Sequence, residues 1–229
     1  MSKKILFIST VNLTTNPRIL KEIMLADSLG YEITFLGFWI GNWSDKLDME
    51  LQKKTTRIQF SYLQATRKPF IPWLISTLIE RSARLVNKVY ASGIQLDAFA
   101  SSKRAVLLIQ HLKKINATNK KFDLVVSHTL GALYPAYSYA KKSNTKFAFD
   151  VEDYHPWESI KGNNTGHEVR RREAIMRTIL PVADYVSAAA PLIAKQINNL
   201  VPAVNAITVY NSFPKAEFIM PAEIKSEKI

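Results

Sequence analysis

Short apolar runs alternate with amphipathic stretches along most of the chain. The runs have the length and composition of strands buried on both faces of a sheet, whereas the amphipathic stretches keep the apolar spacing of helices. This alternation predicts an α/β protein with a Rossmann-like, open and mostly parallel sheet flanked by helices. The predicted strands are Lys3–Thr10, Tyr31–Phe38, Arg57–Leu63, Phe122–Thr129, Thr145–Asp153, Asp184–Ala190 and Asn205–Ser212.

The predicted helices lie between these runs. The first has the residues of a helix start and end, since Asn16 suits an N-cap, Pro17 the first helical position and Gly30 the residue after the last turn. The polar stretch Gly37–Arg57 is predicted to be irregular. The other predicted helices are Ile71–Ala91, Asp97–Ala117, Leu130–Lys142, Glu168–Leu180 and Pro191–Leu200.

Composition excludes several classes of protein. The 229 residues are 47% hydrophobic, enough for a core, and include no cysteine, which excludes a disulfide framework and cysteine metal sites. The first apolar run is too short for a signal peptide, and no run approaches the roughly 18 apolar residues of a membrane span. We therefore predict a cytoplasmic protein, with a Rossmann-like domain over residues 1–213 and a tail or linker over 214–229.

The formal net charge of +12 favours anionic partners. Basic residues are dispersed along the chain, and it has no interleaved aromatic–basic motif of a nucleic-acid-binding module, so nucleic acid is not a predicted partner. Anionic lipid and phosphorylated substrates stay open as partners, and simple solubility is the alternative use of the charge.

The amphipathic stretch Lys68–Tyr90 combines an apolar stripe with basic residues along its side. Two interpretations stay open. The stripe packs against the sheet, or it contacts the inner face of an anionic membrane as a peripheral surface helix. In the second case the predicted membrane-contact residues are Trp73, Arg81, Arg84 and Lys88.

Polar residues follow the predicted strands at the edge where such sheets bind ligands, outside their carboxyl ends. The loop Thr10–Pro17 has hydroxyls and amides but no glycine, so a dinucleotide or Walker-type site there is not predicted. Gly131, just beyond the fourth strand, is expected to leave room for a substrate. The candidate binding residues at this edge are Thr10, Asn12, Asn16, Arg18, His128 and Asp150.

The segment "DVEDYHPW" ends a predicted strand in three carboxylates and a histidine. Strand alternation puts Asp150 and Glu152 on one face. Clustered carboxylates raise one another's pKa, so one of them could serve as a general base. A divalent metal site is the weaker alternative, and no metal is predicted. In a purely structural interpretation Asp153 caps a turn and Glu152 pairs with an arginine of Arg170–Arg172.

The order of these motifs resembles the N-terminal, acceptor-side domain of GT-B glycosyltransferases of the family 4 type. The resemblance rests on "KKILFIST…NPRILKEIMLADSLGYEITFLGF", "FDLVVSHTLGALYPAYSYAKKSNTKFAFDVED", "ADYVSAAAPLIAKQI" and "AITVYNSFPKAEF". It implies that His128 stands where such proteins have a histidine after the fourth strand. It also implies that Asp150–Asp153 take the "D-x-H-E" position, with Glu152 in place of the histidine and His155 three residues later.

The resemblance implies a transferase that moves a sugar from a nucleotide-sugar donor to a glycan or lipid-linked acceptor. Glu152, Asp153 and His155 are then the predicted catalytic residues, and the binding residues at the sheet edge contact the acceptor. The nucleotide sugar is expected on a missing C-terminal donor domain, so this domain binds no cofactor and is inactive alone. The alternative is a non-catalytic module that docks on a membrane or a partner through its basic amphipathic helix.

Overall fold

The computed structural model describes residues 2–89, 93–118, 120–158 and 165–212. Seven strands form one sheet in the order β3-β2-β1-β4-β5-β6-β7, and every neighbouring pair is parallel. The predicted α/β, Rossmann-like fold is therefore confirmed. The strands are β1 (Lys4–Ile8), β2 (Glu32–Trp39), β3 (Gln59–Gln64), β4 (Leu124–His128), β5 (Lys146–Val151), β6 (Tyr185–Ala188) and β7 (Ile207–Thr208).

Helices cover both faces of the sheet. One face packs against the first helix through Ile5 and Phe7 of β1, and the other packs through Leu6 and Ile8 against the last four helices. None of the helices in the described ranges is both long and apolar enough to cross a membrane. The helices are α1 (Pro17–Ser28), α2 (Ser44–Lys54), α3 (Phe70–Val89), α4 (Ile94–Ser101), α5 (Lys103–Ala117), α6 (Leu130–Ser143), α7 (Thr165–Ile179) and α8 (Pro191–Leu200).

Helix α2 lies in the stretch predicted to be irregular, so that prediction is wrong. The helix has an acidic first turn and a basic last turn, as the helix dipole favours. Its buried residues are the polar Ser44 and Asp48, whereas Leu47 and Met49 are exposed. The apolar periodicity that indicates a helix is therefore missing from its sequence.

The predicted helix Asp97–Ala117 is two helices. Ser102 has an extended backbone, with φ −156° and ψ 121°, and separates α4 from α5. The last strand is also shorter than predicted, at Ile207–Thr208. The predicted tail 214–229 lies outside the described residues, so the domain boundary at 213 stays a prediction.

Helix α3 packs on α4 and α5 rather than on the sheet. Two of its predicted membrane-contact residues are held by the protein. Trp73 is half-buried, with Arg67 and Lys103 over its ring, and Arg84 donates to the Ala100 carbonyl and to Glu80. Arg81 is exposed, as predicted for a surface contact, and the Lys88 side chain lies outside the described part of the chain.

Candidate active site at the carboxyl edge of the sheet

The strand order changes direction between β1 and β4, which are adjacent in the sheet. Ligands of open α/β sheets bind outside the carboxyl ends of strands at such a point. The hydroxyls of Thr10 and Thr129 meet there, 2.8 Å apart. Thr129 has a φ of 69°, which is rare for a β-branched residue and is found where the surrounding structure imposes it.

The space next to the carboxyl ends of β1 and β4 is filled by protein side chains. A Cβ on Gly131 would lie 2.9 Å from the Thr10 methyl group and 3.0 Å from the Ser102 hydroxyl. The Arg104 guanidinium also donates to the Thr10 carbonyl at 2.5 Å. Burial lowers the pKa of Arg104. Gly131 therefore allows close packing of the chain and does not leave the room for a substrate that we predicted.

Helix α2 holds the loop between β1 and α1. The Asn12 amide is buried and donates to Ser44 at 2.7 Å and to Asp45 at 3.0 Å. The carboxylate of Asp48 accepts from the backbone N–H groups of Leu13 and Thr14, at 3.1 and 2.6 Å. The loop is therefore pre-shaped by buried hydrogen bonds, and the ligand role predicted for Asn12 stays a prediction.

Asn16 and Pro17 begin α1 as predicted. The Asn16 side chain accepts from the Ile19 N–H at 3.2 Å, and Pro17 occupies the first helical position. The Asn16 amide nitrogen is buried without a hydrogen-bond partner among the described residues. Asn16 therefore acts as an N-cap, and its contact with an acceptor is untested.

Arg18, in the first turn of α1, forms a buried ion pair with Asp150 of β5. Its Nε and Nη2 atoms donate to the two carboxylate oxygens at 2.7 and 2.5 Å. Ser187 of β6 donates to the same carboxylate at 2.5 Å, and Arg18 Nη1 donates to the Val209 carbonyl at 2.7 Å. One guanidinium thus ties α1, β5 and the chain after β7 together.

The pKa values of this pair move in the directions of a stable ion pair. Burial raises the pKa of Asp150, but the hydrogen bond from Arg18 and the positive charge of His128 outweigh it and hold the pKa below its ordinary value. Burial likewise lowers the pKa of Arg18, and Asp150 more than compensates. The expectation that clustering raises the carboxylate pKa is therefore wrong for Asp150, because cations surround it.

His128, at the end of β4, is fully buried between carboxylates. Its Nδ1 atom lies 3.0 Å from Glu152 and 3.5 Å from Asp150, and its Nε2 atom lies 3.2 Å from Glu22 of α1. An imidazolium donates from both ring nitrogens, so a carboxylate facing each nitrogen favours the protonated form of His128. Burial lowers the pKa of His128, but the hydrogen bonds to Glu152 and Glu22 outweigh it and raise the pKa to about 10.

Glu152 and Asp153 lie just beyond β5, where the chain leaves the sheet. The Glu152 side chain is 22% exposed and is oriented by His128, on the same side as Asp150, as strand alternation predicts. Asp153 is exposed. Glu152 is therefore the predicted catalytic residue that is both fixed by the protein and open to a ligand.

Glu22, His128 and Asp150 also offer one ligand atom each within 4.8 Å of one another. A metal ion would need a neutral imidazole and free carboxylate oxygens. Here Arg18 donates to both Asp150 oxygens, and both ring nitrogens of His128 already face carboxylates. The arrangement therefore favours an ion-pair network over a metal site.

His155 lies apart from this network, in a 3-10 turn over His155–Trp157. It is 4% exposed; its Nδ1 atom lies 2.8 Å from Glu158, and its Nε2 atom has no partner in the described ranges. Arg172 of α7 holds the turn by donating to the carbonyls of His155 and Glu158. The catalytic role of His155 stays a prediction.

The arginines of α7 do not pair with the acidic strand end in the described residues. Arg171 donates to Glu168 within the same helix and to Ser101 of α4, and Arg172 donates to Glu168 as well as to the turn. Arg170 is exposed. The partner of Asp150 is Arg18, 132 residues away along the chain, and the partner of Glu152 is His128.

Several residues of the site were missed from the sequence, among them Glu22, Ser187 and Asp48. Glu22 follows Arg18 by four positions on α1, so helical spacing could have placed it on the same face. Ser187 could have been found from strand alternation, since it pairs in register with Asp150. Asp48 had no signal, because it lies in the stretch that was predicted to be irregular.

The fold matches solved structures of GT-B glycosyltransferases. Sucrose-phosphate synthase from Thermosynechococcus elongatus has a TM-score of 0.58 and 11% identity, over 91% of this chain and 48% of that one. Anabaena HepE in complex with UDP and glucose has a TM-score of 0.53 and 12% identity, over 92% and 45%. The apo lipopolysaccharide outer core galactosyltransferase WaaB has a TM-score of 0.52 and 16% identity, over 98% and 50%.

These likenesses establish the class of fold. The seven-stranded parallel sheet with its flanking helices is a Rossmann-like fold of the kind found in GT-B glycosyltransferases. The chain spans about half the length of each of these structures. No protein-family model matches the chain. No curated protein matches its sequence.

Proposed function

We propose that the chain is the acceptor-binding half of a glycosyltransferase of the family 4 type. In this proposal a sugar moves from a nucleotide-sugar donor to a glycan or lipid-linked acceptor. The donor binds to a second domain, and this half alone is inactive. The related folds support the proposal, since HepE is solved with UDP and glucose and WaaB is a galactosyltransferase.

The position of Glu152 carries the proposal. Its carboxylate lies outside the carboxyl end of β5, is partly exposed, and accepts a hydrogen bond from the buried His128 imidazolium. A carboxylate held in this way can orient an acceptor hydroxyl and accept its proton as the bond to the sugar forms. Exposed Asp153 contacts the same acceptor, while Thr10, Asn12, Asn16, Arg18, His128 and Asp150 act mainly by holding the crevice in shape.

A transfer assay tests this proposal in the protein that includes the donor half. We expect Glu152→Gln to lower kcat about tenfold to hundredfold, because the amide cannot accept the acceptor proton. Asp153→Asn should have a smaller effect. Glu32→Gln is the control, since Glu32 is an exposed carboxylate at the amino end of β2, paired with Lys4. Unchanged transfer by the Glu152→Gln protein would contradict the proposal.

The exposed face of α3 favours a second candidate function, docking on an anionic membrane. Ile71 is 68% exposed, Leu78 54% and Leu85 65%, and Leu74 and Ile75 extend the same stripe. A continuous exposed apolar stripe of this length is unusual on a helix unless a partner or a membrane covers the stripe. The net charge of +12 complements an anionic bilayer rather than a neutral one. Such docking would also bring the crevice to a lipid-linked acceptor.

Vesicle co-sedimentation tests the membrane candidate. We expect the chain to bind vesicles of phosphatidylcholine and phosphatidylglycerol at low salt, and Ile71→Ser/Leu78→Ser to weaken binding about tenfold or more by removing inserted side chains. Leu25→Ser/Leu29→Ser is the matched control, because Leu25 of α1 and Leu29, which follows its last turn, are 61% and 65% exposed. Equal loss in both variants, or no binding by the wild type, would rule out docking through α3.

A further inference from the structure

A shallow, open cavity lies between the turn after β5 and helices α7 and α8. It has a volume of about 660 Å³, within the size range of small-molecule sites. Tyr154, which lines it, follows Glu152 by two residues along the chain. Its other lining side chains include Trp157, Glu173, Arg177, Gln196 and Asn199.

Trp157 gives the cavity an aromatic wall. Its side chain is 63% exposed although it is the largest apolar group of the turn. The turn is held by the two hydrogen bonds from Arg172 and by the Trp157 N–H, which donates to the Tyr154 carbonyl at 3.1 Å. The backbone of the turn is therefore fixed by hydrogen bonds, and the Trp157 indole that it carries faces solvent.

The remaining wall supplies hydrogen-bonding groups without a strong net charge. Gln196 and Asn199 make no side-chain hydrogen bond to another residue of the described ranges. Glu173 and Arg177 lie 3.8 Å apart and offset each other's charge. The two amides and the neutralised ion pair offer both hydrogen-bond donors and acceptors. A phosphate group would need an excess of positive charge, which this wall does not supply.

We propose that this cavity binds a neutral sugar residue of an oligosaccharide. The C–H face of a pyranose ring is apolar and packs on the electron-rich face of an indole, while its hydroxyls both donate and accept hydrogen bonds. Trp157 supplies the first interaction, and Gln196, Asn199 and the Glu173–Arg177 pair supply the second. The proposal rests on the glycosyltransferase function, in which the cavity holds a further sugar of the acceptor, away from the one that reacts.

Direct sugar binding tests the inference without an activity assay. The probes are maltotetraose, cellotetraose and chitotetraose, titrated into the chain and followed by saturation-transfer NMR. We expect at least one of them to bind, and Trp157→Ala to weaken binding about tenfold by removing the stacking surface. Trp43→Ala is the matched control, since Trp43 is 68% exposed and lies outside the cavity. Gln196→Leu/Asn199→Leu should weaken binding as well.

The outcomes separate this inference from the proposed function. No binding of any probe, or equal binding by wild type and Trp157→Ala, overturns the sugar site. Equal weakening by Trp43→Ala would also overturn it, because binding would then not be localised to the cavity. The proposed function is judged by transfer in the Glu152→Gln protein, so either idea can fail while the other stands.

Discussion

Replacing Asp150 by asparagine is expected to lower the free energy of unfolding of this chain by about 3–5 kcal/mol. The variant leaves the Arg18 guanidinium, which is 7% exposed, without the carboxylate that neutralises it. It also weakens the hydrogen bond from Ser187 and removes the negative charge next to His128. An unpaired buried charge costs far more than the lost pair is worth, because the desolvation of the remaining ion is no longer offset.

Urea unfolding at neutral pH measures this effect. Asp27→Asn is the matched control, because Asp27 pairs with Arg57, whose side chain is 70% exposed. That change should cost under about 1 kcal/mol. The double variant Arg18→Met/Asp150→Leu should recover much of the loss, since it removes both charges. A loss under about 1 kcal/mol for Asp150→Asn alone would show that the pair does not hold the crevice.

The ion pair changes how the candidate site is understood. Arg18 and Asp150 have the residue types of a phosphate or acceptor site, and the sequence pattern predicted ligand contacts for both. In the fold they satisfy each other and join α1 to β5. Glu152 keeps a ligand-facing position because its partner, His128, approaches it from the buried side.

The sequence predicts the fold better than the site for a physical reason. Apolar strands and helix stripes are local patterns, so β4, α6 and β5 could be placed from neighbouring residues alone. The partner of Asp150 is 132 positions away and depends on how α1 crosses the sheet. The role of Asp48 depends on helix α2, whose buried residues are polar. A pattern of apolar residues therefore could not predict this helix. Long-range pairing of polar groups follows from the fold and had to be observed in it.

The stability that His128 contributes is expected to disappear in alkaline solution. Its pKa is raised from an ordinary value of 6.5 to about 10, so the folded state binds the proton more tightly than the unfolded state. The contribution is therefore complete below about pH 6.5 and is lost as the pH rises through about 10. His128→Asn should cost about 3–5 kcal/mol at about pH 6, because Glu22 and Glu152 then face each other around a neutral buried group.

The measurement is the difference in the free energy of unfolding between wild type and His128→Asn, taken at several pH values from about 6 to about 10.5. Lysines and tyrosines titrate in both proteins, so the difference isolates the imidazolium. His111→Gln is the control, because burial lowers the pKa of His111 below its ordinary value of 6.5. Its difference should therefore change only around and below about pH 7 and stay flat from about pH 7.5 upward, where that of His128→Asn falls. A flat difference for His128 as well would mean that the imidazole is neutral in the fold, and Glu152 would then have no cation to hold it.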